Sequence, residues 1–380
     1  MLRELLRRRN AALEGRAVTA RARIESTPVC PELVPYRDHM VETCDELLAS
    51  VRRSLEHLRL GPDEILQDIL SNTHQDLRLY QWLTDDFVAP ILHASASDRL
   101  SLRTIAWLHS GHPETRDEPA AFSSGSCAVL PMSPPLYYLP SIEQSSLLYQ
   151  PLLFHEFGHL LYAKHRDEMD ELVGELQREL QELLLPGSQR DDRFAAQQAA
   201  ERDRIVNVWY SWAQELYCDA VGFTIGGVTF FKAFSAFLSN TGVDDFYRAP
   251  ADLGASSHPI TWLRVQLLAD RAERAGESAV ARRLRDEWRT MAYALSIDED
   301  YHGYFVAEAE PVVRSKIEDM LVETDPRAYA AEDLSKPWQP GCTVVALCAE
   351  AWRMFEANPE EYDRWERKTI IRFYGGIPLT

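Results

Sequence analysis

Apolar residues recur at helical spacing through the first quarter of the chain. They are Val41, Leu47, Leu48, Val51, Leu55 and Leu58, and the spacing returns over residues 65–70 after a break. Gly61 is typical of the end of a helix, and Pro62 is typical of the start of the next one. The pattern predicts a helical N-terminal region, residues 1–95, that serves as scaffold rather than carrying a separate activity.

The pattern changes beyond this region to short apolar runs separated by loops rich in Gly, Pro and Ser. The runs at residues 102–108, 127–130 and 136–139 are typical of strands. They predict a small antiparallel sheet whose edge strand could pair with an extended peptide. His109 and His112 fall in a loop of this stretch; they could be additional metal ligands, but exposed loop histidines are the expected interpretation.

An almost wholly apolar run then extends over residues 151–162 and contains His155, Glu156 and His159. A helix that is apolar all round is a buried helix, and polar groups within it need partners. Residues i and i+4 share one face of a helix, so the two histidines can present their imidazoles to one ion. Glu156 is placed to hold a water on that ion. His-Glu-x-x-His is a zinc motif, and Gly158 within it indicates close approach of another backbone or of the metal site.

A second candidate segment lies 56 residues after the second histidine. Glu215 and Asp219 are also four residues apart in a stretch with helical spacing. Zinc sites of the two-His, one-Glu type take such a carboxylate as third ligand, and a metal-bound histidine usually donates its other N–H to an acceptor such as Asp219. The alternative for both carboxylates is a solvated helix face. Between them, Cys218 is expected to be a buried free thiol.

Further helices are expected on both sides of this segment. One is predicted from residue 151 to about 185 and another from about 190 to 223, followed by helices over 258–275 and 278–296. The remaining chain is helix-rich. A packed aromatic loop is expected at Tyr301, His302, Gly303 and Tyr304, although a Tyr or His there could stabilise an oxyanion.

Composition narrows the functional classes. The chain has 380 residues, 46% hydrophobic and 26% charged, which is typical of a globular protein. Its net charge of −19 argues against a sequence-independent nucleic-acid binder. None of the six cysteines shows C-x-x-C spacing, and the N-terminus lacks the apolar segment of a secretory signal. The longest apolar run, residues 220–231, is too short for a membrane span. A cytoplasmic protein with reduced thiols is therefore expected.

The two segments together resemble a known family. His-Glu-x-x-His followed by Glu-x-x-x-Asp on a later helix resembles the gluzincin branch of zinc metallopeptidases. Residues 257–264 read S-H-P-I-T-W-L-R, which resembles the H-P-x-x-x-x-R signature of the family containing the CAAX prenyl protease and the bacterial heat-shock membrane zinc protease. This chain departs from that family at Ile260, where a second proline is common, and in its lack of expected membrane helices.

The resemblance implies a role for each motif residue. His155, His159 and Glu215 would bind zinc. Glu156 would be the general base, and Asp219 would support a ligand. His258 and Arg264 would lie near the substrate or support the site. For the last two the alternative is a helix start with an ordinary surface arginine.

The sequence therefore predicts a mainly α fold of the α+β class: a zincin-like metallopeptidase with a small antiparallel sheet and helical N- and C-terminal extensions. Its catalytic domain is expected over residues 96–300, with a helical C-terminal region over 301–380. The expected cofactor is Zn²⁺ and the expected partner a peptide or protein substrate, without nucleic acid or a membrane span. The alternatives are a zincin-fold binding or regulatory protein without turnover, and a zinc hydrolase of a non-peptide bond.

Overall fold

The computed structural model describes residues 1–95, 98–140, 145–184, 195–239, 242–328 and 343–373. Within these ranges the protein is mainly helical with one small sheet, which confirms the predicted class. The chain forms two compact units, one of residues 1–106 with 117–141 and one of residues 107–116 with 142–378. The predicted division into regions 1–95, 96–300 and 301–380 stays a prediction.

The first unit is built mainly of helices. They are α1 (Leu2–Ser26), α2 (Val34–Leu60), α3 (Leu66–Trp82), a π-helical turn (Leu83–Phe87), α4 (Ala89–Leu92) and the first part of α5 (Asp98–Ser110). Short 3-10 turns at Pro31–Leu33 and Asp63–Ile65 precede α2 and α3. The helix break predicted at Gly61 is confirmed, because α2 ends at Leu60. Leu6, Leu58 and Ile69 form a buried apolar cluster among α1, α2 and α3.

The strand predicted over residues 102–108 is wrong, because this segment belongs to α5. Its buried apolar residues Leu102, Ile105 and Leu108 are three positions apart, so they share one helix face where a strand would alternate them. The expectation of exposed loop histidines is also wrong. His109 lies in the last turn of α5, His112 follows the helix, and both are buried.

The sheet has three strands, β1 (Ala121–Ser124), β2 (Ala128–Leu130) and β3 (Leu136–Leu139), in the order β1-β3-β2. The runs predicted around β2 and β3 are confirmed, and these two strands pair antiparallel. The prediction of a purely antiparallel sheet is wrong, because β1 pairs parallel with β3. β1 lies next to Gly125 in a stretch whose Ser and Gly content favours a loop, but burial of its Ala121 and Phe122 stabilises it as a strand.

The second unit contains helices joined by turns and loops within its described residues, and an isolated bridge between Tyr247 and Asp300. Its helices are the end of α5, α6 (Leu152–Lys164), α7 (Arg166–Leu183), α8 (Ala195–Leu238), α9 (Pro250–Leu253), α10 (Thr261–Arg274), α11 (Ser278–Leu295), α12 (Glu310–Thr324), α13 (Val344–Ala357) and α14 (Pro359–Phe373), with 3-10 turns at Val243–Asp245 and Ala307–Ala309. α8 is the central helix, against which α6, α7, α10, α11, α12 and α13 pack.

Two helix lengths differ from prediction. The single helix expected from residue 151 to about 185 is two helices, because the backbone at His165 (φ −109°, ψ 31°) leaves the helical region between α6 and α7. The helix expected to end at Phe223 continues to a kink at Gly227, beyond which a second helical part runs to Leu238. The apolar character of the chain persists through the kink, so the sequence did not reveal this second part.

Among the helices of the described residues, only α8 has the length and the apolar composition needed to cross a membrane. The stretch is Ala200–Leu238, and 61% of its most apolar window is buried inside the protein. A buried core helix meets the same criteria, so the observation is weak evidence for a span. The expected lack of a span stays a prediction.

Candidate metal centre

The two histidines of the motif lie one turn apart on α6. Their ring centroids are 5.0 Å apart and the ring planes are nearly perpendicular, at 86°. His155 is buried, whereas 26% of the His159 side chain is exposed. The centre therefore has a closed side at His155 and a side that solvent reaches at His159.

Glu215 of α8 faces both imidazoles. One carboxylate oxygen lies 3.5 Å from Nε2 of His155, and the other lies 3.5 Å from Nε2 of His159. These distances exceed those of ordinary hydrogen bonds. Arg264 Nη2 is 3.1 Å from Oε2 of Glu215, yet this buried oxygen has no contact with good hydrogen-bond geometry. The carboxylate is thus held between two imidazoles that it does not bond directly.

The spacing of these three residues fits a metal ion. One ligand atom from each of His155, His159 and Glu215 can be chosen so that all lie within 4.8 Å of one another. Zinc bonds of about 2.0–2.2 Å in tetrahedral geometry separate neighbouring ligand atoms by roughly 3.3–3.6 Å. Each Glu215 oxygen lies at such a distance, 3.5 Å, from one imidazole nitrogen, and the buried Oε2 has no hydrogen-bond partner that would compete with a metal. The group can therefore hold a metal ion.

Asp219 lies behind His155, on the side away from Glu215. Its Oδ1 is 2.9 Å from Nδ1 of His155, the ring nitrogen that Nε2 coordination leaves available, but the contact lacks the geometry of a hydrogen bond. Arg264 of α10 donates two hydrogen bonds to this carboxylate, from Nε at 2.9 Å and from Nη2 at 2.7 Å. Such a carboxylate fixes both the orientation and the tautomer of a ligating histidine.

The charges at the centre are unbalanced. Glu156, Glu215 and Asp219 are three buried carboxyl groups, while Arg264 is the permanently charged cation that contacts this group. Burial alone raises the pKa of Glu215, but Arg264 and the two histidines outweigh it and hold that pKa far below its usual value. Arg264 likewise lowers the pKa of Asp219 against the effect of burial. A bound cation would offset this buried negative charge.

The two histidines respond in opposite ways to these surroundings. Burial acts to lower the pKa of His155, but the carboxylates of Asp219 and Glu215 outweigh it and raise the pKa to about 10. Burial, together with the neighbouring His155, lowers the pKa of His159 to about 4. The carboxylates thus favour the protonated form of His155, whereas burial favours the neutral form of His159.

Gly158 allows α6 and α8 to approach closely at the centre. A Cβ atom at this position would lie 2.9 Å from Cα of Cys218 and 3.1 Å from its Sγ. The close backbone approach inferred from the sequence is thus confirmed. Cys218 is a fully buried free thiol, also as predicted, and burial raises its pKa well above the usual value. This contact sets how near Glu215 comes to the histidines.

His258 and Arg264 both reach the centre, in different environments. His258 precedes α10 with 54% of its side chain exposed, and its Nε2 is 3.4 Å from Oε1 of Glu215. Its Nδ1 lies 2.9 Å from the hydroxyl of Ser257. Arg264 is buried and contacts Asp219 and Glu215, so it is not an ordinary surface arginine. The contacts of Arg264 are those expected of a residue that supports the site, whereas His258 lies on the exposed side of the centre.

Other candidate residues take no part in this group. Nδ1 of His109 hydrogen-bonds with the backbone oxygen of Thr115, and Nδ1 of His112 with that of Leu108. Both rings pack on Phe157. Burial lowers the pKa of His109 to about 4. Tyr304 is buried and packs on Trp212, consistent with the packed aromatic loop expected there.

Sequence reasoning missed Phe234, whose ring stacks on His155. The centroids are 5.4 Å apart and the planes differ by 25°. The same ring lies under the guanidinium of Arg264, at 4.8 Å. The only signal was an aromatic run near the end of α8, and its spacing from Glu215 does not place it at the centre.

No model of a known protein family, no curated protein and no solved structure matches this chain significantly. The resemblance to the gluzincins therefore rests on the motif residues alone. What the centre does has to be inferred from its own geometry.

Proposed function

We propose that this protein is a zinc metallopeptidase that hydrolyses peptide bonds at the centre formed by His155, His159 and Glu215. The observation that carries the proposal is the position of one buried carboxylate 3.5 Å from each of two imidazole nitrogens, with an acidic residue, Glu156, next to the first histidine. Two imidazoles and one carboxylate form a zinc donor set that leaves a fourth position for water. A zincin-like arrangement of α6 and α8 is part of this proposal.

Zinc at this centre would act as a Lewis acid and lower the pKa of a water molecule towards about 7. Glu156 accepts the proton as the water attacks the peptide carbonyl, and then passes it to the nitrogen of the leaving amine. Asp219 holds the imidazole of His155 in place during these steps, and Arg264 holds Asp219. The net reaction adds one water across the C–N bond.

His258 is placed to act on the exposed side of the centre. Its Nε2 lies close to Glu215, and its Nδ1 is beside the Ser257 hydroxyl, which orients the ring. From there an imidazole N–H can donate to the oxyanion that forms when the carbonyl is attacked. Arg264 is fully enclosed and acts through Asp219 and Glu215, so we assign it to positioning and leave the direct contact with substrate to His258.

The test is turnover of a peptide library by the zinc-loaded protein and by Glu156→Gln. The substitution keeps the size of the side chain and removes the base, so peptide hydrolysis should fall by about 10²–10⁴-fold. Zinc content should stay unchanged. Glu171→Gln is the matched control, because Glu171 lies exposed on the neighbouring helix α7 and should leave turnover unchanged. Equal rates in Glu156→Gln and the parent would refute the mechanism. Zinc binding with no peptide cleaved would favour a binding protein or another hydrolase.

A further inference from the structure

The geometry points to Phe234 as a positioning residue that holds His155 and Arg264 in place through one aromatic ring. It stacks on the imidazole of His155 at 5.4 Å and lies under the guanidinium of Arg264 at 4.8 Å. The inference rests on the metal centre of the proposed function and does not depend on which bond is hydrolysed. The phenyl ring of Phe234 offers no metal ligand and no group that can transfer a proton, so any effect passes through the residues that it touches.

Phe234 reaches the centre only because α8 does not continue straight. It follows Asp219 by 15 residues, which in a straight helix corresponds to a rise of roughly 22 Å. Yet the Phe234 ring lies within 4.8 Å of the same Arg264 guanidinium that donates to Asp219. The chain must therefore turn back between these two positions.

The turn occurs at Gly227. Its backbone angles, φ 55° and ψ −140°, lie in a region that residues with a Cβ atom rarely adopt. Beyond it the rings of Phe230 and Phe234 stack on each other, with centroids 5.1 Å apart. Gly227 thus allows the last part of α8 to bring Phe234 to His155.

The face of the Phe234 ring can attract the positive charge of groups at a metal centre. The face of an aromatic ring carries negative charge density and attracts cations within about 6 Å of its centroid. Arg264 is a permanent cation, and an imidazole that coordinates a metal carries part of the positive charge. Both groups are buried, so no water competes for the ring face. One ring can therefore fix the orientation of a ligand and of the arginine behind it.

The experiment compares two phenylalanines of the same helical segment. Phe234→Leu removes the ring face but keeps an apolar side chain. Phe231→Leu is the matched control, because Phe231 is equally buried but has no ring contact with His155 or Arg264 in the described structure. Phe234→Tyr keeps the ring. For each protein, denaturant unfolding reports stability and competition with a chelator reports the zinc dissociation constant. The visible spectrum after cobalt loading reports ligand geometry.

We expect both leucine variants to lose stability, and Phe234→Leu alone to lose about tenfold or more in zinc affinity, the usual scale for groups behind a ligand. Its cobalt spectrum should change, whereas Phe234→Tyr and Phe231→Leu should keep the parental spectrum and affinity. If Phe234→Leu does not fold, Phe234→Met takes its place with the same expectation.

Equal losses of affinity in Phe234→Leu and Phe231→Leu would overturn the inference, and so would a weakened but folded Phe234→Tyr. Failure of both Phe234→Leu and Phe234→Met to fold, while Phe231→Leu folds, would overturn the positioning role in favour of a structural one. A parent protein that binds no zinc would overturn the proposed centre and this inference with it. If the parent protein binds zinc and Phe234→Leu binds it with the same affinity, only the role of Phe234 is overturned.

Discussion

The most extensive helix–helix contact of each unit buries a different kind of residue. In the first unit α1 and α2 meet through apolar residues such as Leu13 and Val51, and charged pairs such as Arg52 with Glu14 stay towards solvent. In the second unit α6 and α8 meet with His155 and Glu215 buried between them. The first contact is explained mainly by the burial of apolar surface, with ion pairs such as Arg21 with Asp45 at its edge. The second is not.

The difference shows where function constrains the sequence. Ionisable groups are costly to bury unless they are paired, and the energy of pairing often does no more than offset desolvation. A helix pair that needed only stability could use apolar residues at these positions, as α1 and α2 do. Burial of three carboxyl groups around two imidazoles and one arginine therefore indicates a role that apolar packing cannot supply, and binding of a cation is such a role.

The largest expected effect is loss of the metal. Replacing both His155 and His159 with alanine removes two of the three proposed ligands, so the purified protein should fall from about one zinc per chain to none. Elemental analysis measures this directly. The matched control replaces His57 and His74, two exposed histidines of the first unit, and should retain zinc. If the variant without His155 and His159 still bound one zinc per chain, the metal would lie elsewhere. The α6–α8 contact would then not differ from the α1–α2 contact by binding a metal.

The contrast was only partly visible in the sequence. The i, i+4 pairs His155/His159 and Glu215/Asp219 could be found because helical periodicity converts spacing into a shared face. Gly158 also carried a signal, since a poor helix former within a buried helix needs a packing reason. Local patterns did not show that a second helical part follows the kink at Gly227, because the chain stays apolar through it.

Contacts distant in sequence were the least predictable. Arg264 bonds Asp219 from another helix, and Phe234 joins them only after the chain turns at Gly227. No spacing rule relates these positions. The segment 102–108 shows the opposite error, because a short apolar run fits a strand and a buried helix face equally well.

Removal of a buried arginine should cost far more than removal of an exposed one. Arg264→Ala leaves Asp219 and Glu215 without their buried cation and should lower the free energy of unfolding by about 3–5 kcal/mol. Arg52→Ala in α2 breaks an exposed pair with Glu14 and should cost no more than about 1 kcal/mol. Denaturant titration of both variants measures the difference. Similar losses would mean that the charges of the centre are stabilised by something other than Arg264.

A single methyl group should disturb the second helix pair. In Gly158→Ala the new Cβ would meet the backbone of Cys218 at 2.9 Å, so α6 and α8 must separate. Overpacking of this kind costs about 1–3 kcal/mol, and zinc affinity should fall because Glu215 moves with α8. Gly174→Ala on α7 is the control: its Cβ would meet nothing within 4 Å, and alanine should stabilise that helix by about 0.5–1 kcal/mol. A neutral Gly158→Ala would show that the spacing of the helices is not what sets the centre.

The smallest effect is expected from the polar pair buried in the first unit. Asn10 of α1 donates to the hydroxyl of Thr73, while its own side-chain oxygen has no hydrogen-bond partner in the described structure. Replacing both residues, Asn10→Leu with Thr73→Val, removes donor and acceptor together and eliminates one unsatisfied atom. Because such paired replacements are nearly neutral, the free energy of unfolding should stay within about 1 kcal/mol of the parent. Denaturant unfolding tests this, with zinc content as a check that the second unit is unaffected. A loss as large as that of Arg264→Ala would show that buried polar groups are equally indispensable in both units, and the inference of function from the α6–α8 contact would lose its support.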